Sequence, residues 1–339
     1  MSRRIFIIYP GHGTATIDVA RGLHHGFQAL GCTVEHYPLE GRAEWFAGLL
    51  EAEQRVADEA RSEAALGMCG EEIPGRILRF EPDAVIVVHG QLLSLRCWQA
   101  LEQLRALCAV HLVLTECPYE DAQLQHLLPQ ASVVWANDRT SAERWGCRYL
   151  PAGYDPAVHH PPAEPIRGAP DVLFVGTGWG ERCRFFSAVD WSGLWFRIVG
   201  PLESWPEAHG RPLERHIEDA GIPGSALWPY YAGAGAVVNL HRRSVGLRSG
   251  GEVGDGYSLN PRAYQVPACG GLLLSDWRPE FDEIFRGVLP TFETPAELGD
   301  LVRYFHANPG ARQDAILASL EAVQPHSYTA RAAAILEEV

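Results

Sequence analysis

Twice along this chain a short apolar run closes on a glycine-rich turn and leads into a helix-forming stretch. The first instance is Arg4 to Tyr9, then Pro10-Gly11-His12-Gly13, then Thr14 to Leu30, stopped by Gly31. The second is Val172 to Val175, then Gly176-Thr177-Gly178-Trp179-Gly180, then Glu181 to Val189. The grammar continues after each opening. Cys32 to Tyr37, Asp83 to Val88, Val110 to Thr115 and Ser132 to Trp135 read as strands, alternating with helical stretches at Ala43 to Leu66, near Ser94 to Leu107 and at Asp138 to Trp145. In the second half Trp195 to Val199, Ala236 to Leu240 and Leu272 to Leu274 are the strand candidates. Strands apolar on both faces and separated by helices require a parallel sheet covered on both sides, so the class is α/β with Rossmann-like units.

The length supports two such units. At 339 residues the chain exceeds what one hydrophobic core normally holds. Six prolines between Pro151 and Pro170, with no periodic apolar pattern, mark a semi-rigid linker. The expected division is 1–150, a linker over 151–170, a second domain over 171–325, and a last helix over 326–339. Thr294-Pro295-Ala296-Glu297 is a capping box that starts a helix to about His306, and Asn308-Pro309 starts another to Ala322.

Charge and cysteine usage narrow the partners. With 28 Lys+Arg against 42 Asp+Glu the net charge is −14, which argues against a polyanion as main partner. No apolar run is long enough to span a membrane, and Met1-Ser2-Arg3-Arg4 leads into too short a run for a signal peptide. The eight cysteines are scattered without a C-x-x-C pair, the expectation for reduced thiols in a cytoplasmic protein with no metal site. Oligomeric state is not legible.

The densest local chemistry lies in Tyr257 to Phe285, YSLNPRAYQVPACGGLLLSDWRPEFDEIF. Asn260 is a good N-cap and Pro261 suits the first helical position, where a missing N–H has no consequence. Arg262 then adds a fixed charge to a helix end already suited to an anion. Gly270 and Gly271 stop the helix, and Asp276 falls just past a strand's carboxyl end, where open α/β sheets bind ligands. Read without context, the same residues describe an ordinary capped helix with a solvated arginine. The turn Gly176-Thr177-Gly178 with Arg182 in the following helix offers a close backbone approach to a diphosphate.

Asn260, Arg262, Tyr264, Ala268, Cys269, Gly270, Leu272 to Leu274 and Asp276 resemble the N-x-R-x-F-E-x-x-A-C-G-x-x-L-L-x-D signature of spore-maturation-type (CgeB-like) group 1 glycosyltransferases. Matches in order at Asp171 to Gly176, Arg182, Val238 to His241, Glu297-Leu298, His326 to Tyr328 and Arg331 extend the resemblance over about residues 135 to 336. The resemblance implies the GT-B architecture, two Rossmann-like domains facing each other across a central cleft, with the N-terminal domain on the acceptor side and the helix over 326–339 crossing back to it. It implies transfer of a sugar from a nucleotide diphosphate sugar, with a UDP-sugar the first choice, to an unidentified acceptor. No cofactor and no metal are implied, and the outcome is retaining if the family's stereochemistry carries over.

The catalytic group implied is Arg182 and Arg262 against the diphosphate, with Glu116 and His12 toward the acceptor. Gly176, Thr177, Gly178, Asn239, His241, Asn260, Tyr264, Gln265, Gly270, Gly271 and Asp276 are donor-binding candidates, and Gly11, Gly13 and His89 acceptor-side ones. The arginine-bearing, glycine-rich loop over 242–256 is a candidate flap over the donor. One departure from the signature stands at Gln265, where the family has a glutamate. It motivates an alternative reading, a sugar-nucleotide-binding protein with weakened transfer. A second alternative, a glycosyltransferase acting on modified DNA, rests on the arginines of that loop and is opposed by the net charge.

Overall fold

The computed structural model describes residues 2–11, 14–52, 57–164, 166–219, 226–244 and 256–339. The chain divides into two compact units, Met1–Pro151 with Tyr328–Val339, and Ala152–Ser327. No described helix is long and apolar enough to cross a membrane.

The first unit runs β1 (Arg4–Ile8), α1 (Thr14–Ala29), β2 (Thr33–Tyr37), α2 (Leu39–Ala52), α3 (Asp58–Phe80), β3 (Ala84–Val88), α4 (Leu95–Leu104), β4 (Ala109–Leu114), α5 (Asp121–Leu124), β5 (Val133–Ala136), α6 (Arg139–Trp145) and β6 (Arg148–Tyr149). Its six strands are all parallel, in the order β2-β1-β3-β4-β5-β6. Side chains alternate across the sheet and split the core in two. Ile5, Ile7, Ala84, Ile86 and Val88 pack on Ala20, Leu23 and Phe27 of α1, while Phe6, Ile8, Val85 and Val87 face the other way. The last helix of the chain, α13 (Tyr328–Leu336), belongs to this unit. Its Tyr328, Ala332 and Ile335 join the α1 side of the core, and Arg331 Nε donates to Pro151 O at 3.1 Å.

The helical stretch expected over Ala43 to Leu66 is two helices, α2 and α3, and α3 continues to Phe80 through Gly67, Gly70, Pro74 and Gly75. Residues 53–56 lie outside the described ones. An interior proline costs a helix about 3 kcal/mol. Ala65, Cys69, Ile73 and Ile77, four residues apart and all buried, form the apolar stripe whose packing offsets it.

The second unit runs β7 (Val172–Val175), α7 (Gly180–Ala188), β8 (Phe196–Gly200), β9 (Ile217–Asp219), α8 (Trp228–Gly233), β10 (Ala236–Asn239), α9 (Pro261–Ala268), β11 (Leu273–Asp276), α10 (Pro279–Phe285), β12 (Thr291–Phe292), α11 (Pro295–Ala307) and α12 (Pro309–Val323). Its six strands are again parallel, in the order β12-β11-β10-β7-β8-β9. Numbered from β7, this is the 3-2-1-4-5-6 order of dinucleotide-binding sheets, and the order reverses between β7 and β10. The capping box of α11 is present, with Glu297 N–H donating to Thr294 Oγ1 at 3.2 Å and Thr294 N–H to Glu297 Oε2 at 3.3 Å. The proline-rich stretch is ordered against this unit in part: Tyr154 N–H donates to His326 O at 3.3 Å, and Asp155 and His159 are buried. The short strands β6, β9 and β12 have no counterpart among the expected elements, since two or three residues carry no periodicity.

Candidate active site

Where the second sheet reverses, the carboxyl ends of β7, β10 and β11 meet the amino end of α9. Asn260 caps that helix, its Oδ1 accepting from Ala263 N–H at 3.3 Å, and Pro261 follows at the first position. The helix ends in a Schellman motif: Gly271 N–H bonds Val266 O at 3.0 Å and Gly270 N–H bonds Pro267 O at 2.9 Å, with Gly270 at φ +74°. Gly270 and Gly271 therefore lie at the opposite end of α9 from Asn260. The eight-residue helix sets the two ends about 12 Å apart, and both glycines serve to end the helix.

Arg262 reaches back over the sheet from the first turn. Its Nη1 donates to Asn239 Oδ1 at 2.8 Å, its Nη2 donates to Val175 O, and the guanidinium lies 4.9 Å from the Phe174 ring centroid. One side chain thus joins the ends of β7 and β10 on either side of the reversal. Asn239 Oδ1 also accepts from Asn260 Nδ2 at 2.8 Å, while Asn239 Nδ2 donates to Ser275 Oγ at 3.0 Å. Asp276 Oδ1 lies 2.6 Å from His241 Nδ1 and accepts the His241 backbone N–H at 3.0 Å. Burial holds the His241 imidazole below its ordinary pKa. Burial alone would push Asp276 up, but the His241 ring and N–H, with Arg278 beyond, keep it below the usual carboxylate range.

Arg182 takes a different place from the one its spacing suggested. It is 6% exposed, with Nε and Nη2 donating to Leu240 O at 3.1 and 2.8 Å and Nη1 to Thr177 O at 2.9 Å. It braces the Gly176–Gly180 turn against the end of β10. Tyr264 is enclosed as well. It is wholly buried in the core of the unit, its ring 5.8 Å from that of His326, and Gln265 beside it is buried in mid-helix. Asn239 and His241 are buried as well.

The turn itself is fixed by close packing. A Cβ at Gly178 would lie 2.2 Å from Trp205 Cδ2 and 2.6 Å from the Ser204 carbonyl oxygen. Gly178→Ala is therefore expected to lower stability by about 1–3 kcal/mol, read as a fall in the denaturant midpoint at unchanged slope. A midpoint equal to wild type would show that Trp205 and the Ser204 backbone give way freely.

In the first unit Gly11, His89 and Glu116 follow β1, β3 and β4 and so lie at the carboxyl edge of a parallel sheet. His89 has φ +64°, a left-handed backbone rare outside glycine, with its Nε2 3.2 Å from Gln91 Oε1 and its Nδ1 3.4 Å from Thr115 Oγ1. Burial lowers its pKa. His12 and Gly13 lie outside the described residues, as do residues 245–255 of the loop considered as a flap.

Several residues at these edges were not singled out from sequence. Arg278, 2% exposed, donates from Nη1 to Gly256 O at 2.9 Å and from Nη2 to Arg242 O at 3.4 Å. Glu280 accepts Leu259 N–H at 2.6 Å. Glu181 accepts Arg243 N–H at 3.0 Å and the Ser244 hydroxyl at 2.8 Å, and Arg242 stacks 4.2 Å from the Trp179 ring centroid. In the first unit Asn137 Oδ1 accepts Cys117 N–H at 3.0 Å, tying the end of β5 to the segment after β4. The only sequence signal for any of these is a charged or amide residue beside a strand end, which surface residues share. Among the described residues no group of three or more His, Cys, Asp or Glu is placed to hold a metal ion.

A family model described as "Glycosyl transferase-like" matches residues 182–337. Solved structures similar to the whole chain include HepE of Anabaena in complex with UDP-glucose, at 12% identity and TM-score 0.61, covering 99% of this chain and 100% of that one. AviGT4, a glycosyltransferase involved in avilamycin A biosynthesis, matches at 16% identity and TM-score 0.61, covering 99% and 96%. An alpha-glucosyltransferase in complex with UDP and a 13-mer DNA containing an HMU base matches at 10% identity and TM-score 0.64, covering 100% and 99%. No curated protein sequence matches the chain significantly. At such identities the structural likeness establishes the fold, and the fold is GT-B.

Proposed function

We propose that this chain, a glycosyltransferase of the GT-B fold, binds a nucleotide diphosphate sugar, with UDP as the nucleotide, at the reversal of its second sheet. The observation that carries this reading is the position of Arg262: on the first turn of α9, beside the ends of β7 and β10 and next to the Gly176–Gly180 turn. Each terminal guanidinium nitrogen carries two N–H groups. Holding Val175 O and Asn239 Oδ1 with one apiece orients the plane, so the charge faces the helix end where an anion is favoured. Breaking the bond between the anomeric carbon and the diphosphate oxygen places negative charge on the leaving diphosphate. A fixed arginine and a helix terminus supply the stabilisation that a divalent metal gives in other architectures. The acceptor hydroxyl would supply the new bond and lose its proton, a part for which the acceptor-side candidates His89 and Glu116 are proposed. The reading extends to a retaining outcome and to the CgeB-like subgroup on the motif alone.

The test is a thermal-shift series with UDP-, GDP-, TDP- and ADP-sugars, with and without EDTA, since a ligand that binds only the folded state raises the melting temperature by mass action. A shift with the UDP-sugars that survives EDTA is expected. A shift confined to another nucleotide reassigns the donor, and none with any of the four removes the proposal.

Gln265 separates transfer from mere binding. It is 7% exposed, so a carboxylate there would be desolvated and driven toward its neutral form. In an active enzyme adapted to the amide, Gln265→Glu is expected to lower turnover by about tenfold, the equivalent of about 1.4 kcal/mol. A rise in turnover would instead favour the reading of a weakened sugar-nucleotide-binding protein.

A further inference from the structure

Resting on the donor site proposed above, we infer that His241 is a positioning residue: its Nε2 lone pair holds the cap of α9, and through that cap the guanidinium of Arg262, in the geometry that receives the diphosphate. The argument is one of donors and acceptors. Asn260 backbone N–H points at His241 Nε2 from 3.4 Å, and Asn239 Nδ2 lies 3.5 Å from the same nitrogen. Both are donors. Asn239 cannot be turned the other way, because its Oδ1 already accepts from Asn260 Nδ2 and Arg262 Nη1 while its Nδ2 reaches Ser275 Oγ. His241 Nε2 must therefore be the acceptor and Nδ1 the protonated nitrogen, which is what Asp276 Oδ1 at 2.6 Å requires. With the imidazole so fixed, Asn260 is held from two sides, by its N–H on His241 and by its Nδ2 on Asn239. Asn239 in turn shares its Oδ1 with Arg262.

The ring is 2% exposed and Asn239 wholly buried. With both enclosed, the pair acts through Arg262, whose Nη1 is held by Asn239 Oδ1. A second proton on His241 would turn Nε2 into a third donor facing two donors. The groups around it are Asp276 and Arg278 from the β11 end, Arg262 from α9, and the neutral Ser275, Asn239 and Asn260. Two of the three charged neighbours are cations, so nothing on the Nε2 side compensates the added charge.

The experiment measures UDP affinity by calorimetry in wild type, His241→Phe, His241→Gln, Arg262→Ala and the double variant His241→Phe/Arg262→Ala. It also follows amide hydrogen exchange of Asn260 to Ala263 without nucleotide. Phenylalanine keeps the ring volume and loses both nitrogens; glutamine can place an oxygen acceptor near the Nε2 position. His241→Phe is expected to weaken UDP binding by about tenfold, His241→Gln to recover most of that loss, and the double variant to bind no worse than Arg262→Ala, the sign that both act through one group. In wild type, affinity relative to His241→Gln should fall as pH drops; the comparison cancels the titration of UDP's own phosphate. Exchange at Asn260 should quicken in His241→Phe whatever the nucleotide result. Additive losses in the double variant, or unchanged exchange at Asn260, would overturn the positioning role. If Asn260 exchange responds to His241 while wild type and Arg262→Ala bind UDP equally, the cap linkage stands and it is the donor assignment, with the link to diphosphate, that falls.

Discussion

Replacing Arg262 by alanine should reduce transfer by about 10²–10³-fold, the loss seen when one fixed donor to a developing oxyanion is removed, and should weaken UDP binding while the protein stays folded. The fold should survive because Asn239 Oδ1 keeps its bond from Asn260 Nδ2 and Asp276 keeps His241. Lysine should not rescue it. A single ammonium on a flexible stem cannot hold the Val175 carbonyl and Asn239 Oδ1 at once and still present charge to a diphosphate. Initial rates at saturating donor, with UDP affinity measured separately, divide the effect between binding and the bond-breaking step. A variant with wild-type rates would remove Arg262 from the reaction altogether.

The second large effect concerns acid. His111 on β4 is wholly buried and accepts Trp135 Nε1–H on its Nδ1 at 3.2 Å, and burial lowers its pKa from 6.5 to about 4. His159, 5% exposed in the second unit, has its Nδ1 3.2 Å from Asp155 N and is likewise lowered to about 4 by burial. For His111 the nitrogen that would take the second proton faces the Trp135 N–H donor, whereas His159 Nδ1 lies 3.2 Å from both the Asp155 N–H and the Asp155 carbonyl oxygen, and there burial outweighs the favourable Asp155 neighbours. The folded form stays neutral where the unfolded chain already binds a proton. The stability each contributes is therefore complete above pH 6.5 and is lost as pH falls toward 4. A shift of this size corresponds to about 3 kcal/mol for each histidine when the loss is complete. Denaturant midpoints measured from pH 7 to pH 4 should fall in both units. In His111→Gln, which keeps an acceptor for Trp135, the first unit's dependence should flatten by up to one proton. A pH-independent midpoint over that range would contradict the buried neutral state of these rings.

The architecture was open to a sequence reading because its two strongest signals are local. Apolar runs such as Ala84–Val88 and Val172–Val175 have no polar face, and each is closed by a glycine turn. The cap at Asn260 and Pro261, the stop at Gly270 and the capping box at Thr294 are patterns of four or five residues. What escaped was whatever tertiary packing decides. Helix α3 passes four residues that normally break helices because Ala65, Cys69, Ile73 and Ile77 face a sheet formed by residues distant in sequence. The helix expected from the sequence ended at Leu66, just before Gly67, the first of those residues.

The site divides along the same line. Asn239, Asn260, Arg262 and Asp276 were singled out through their position at strand and helix ends, and the structure joins them in one hydrogen-bonded group. Arg182 shared the same outward signs, an arginine one turn past a glycine loop, yet all its nitrogens face carbonyls. A sequence does not state whether a guanidinium bonds a ligand or the backbone beneath it. Arg278 and Glu280 were missed for the converse reason: nothing in Arg278-Pro279-Glu280 marks it as buried.

The most direct test of the account is hydrogen exchange of the whole protein with and without saturating UDP, resolved to short peptides. If the reversal of the second sheet holds the diphosphate, protection should increase at Gly176 to Gly180 and at Asn260 to Ala263, the backbone segments that meet it. Protection that appears only in the first unit, or a UDP complex that leaves both segments unchanged, would contradict the assignment of the donor to this site.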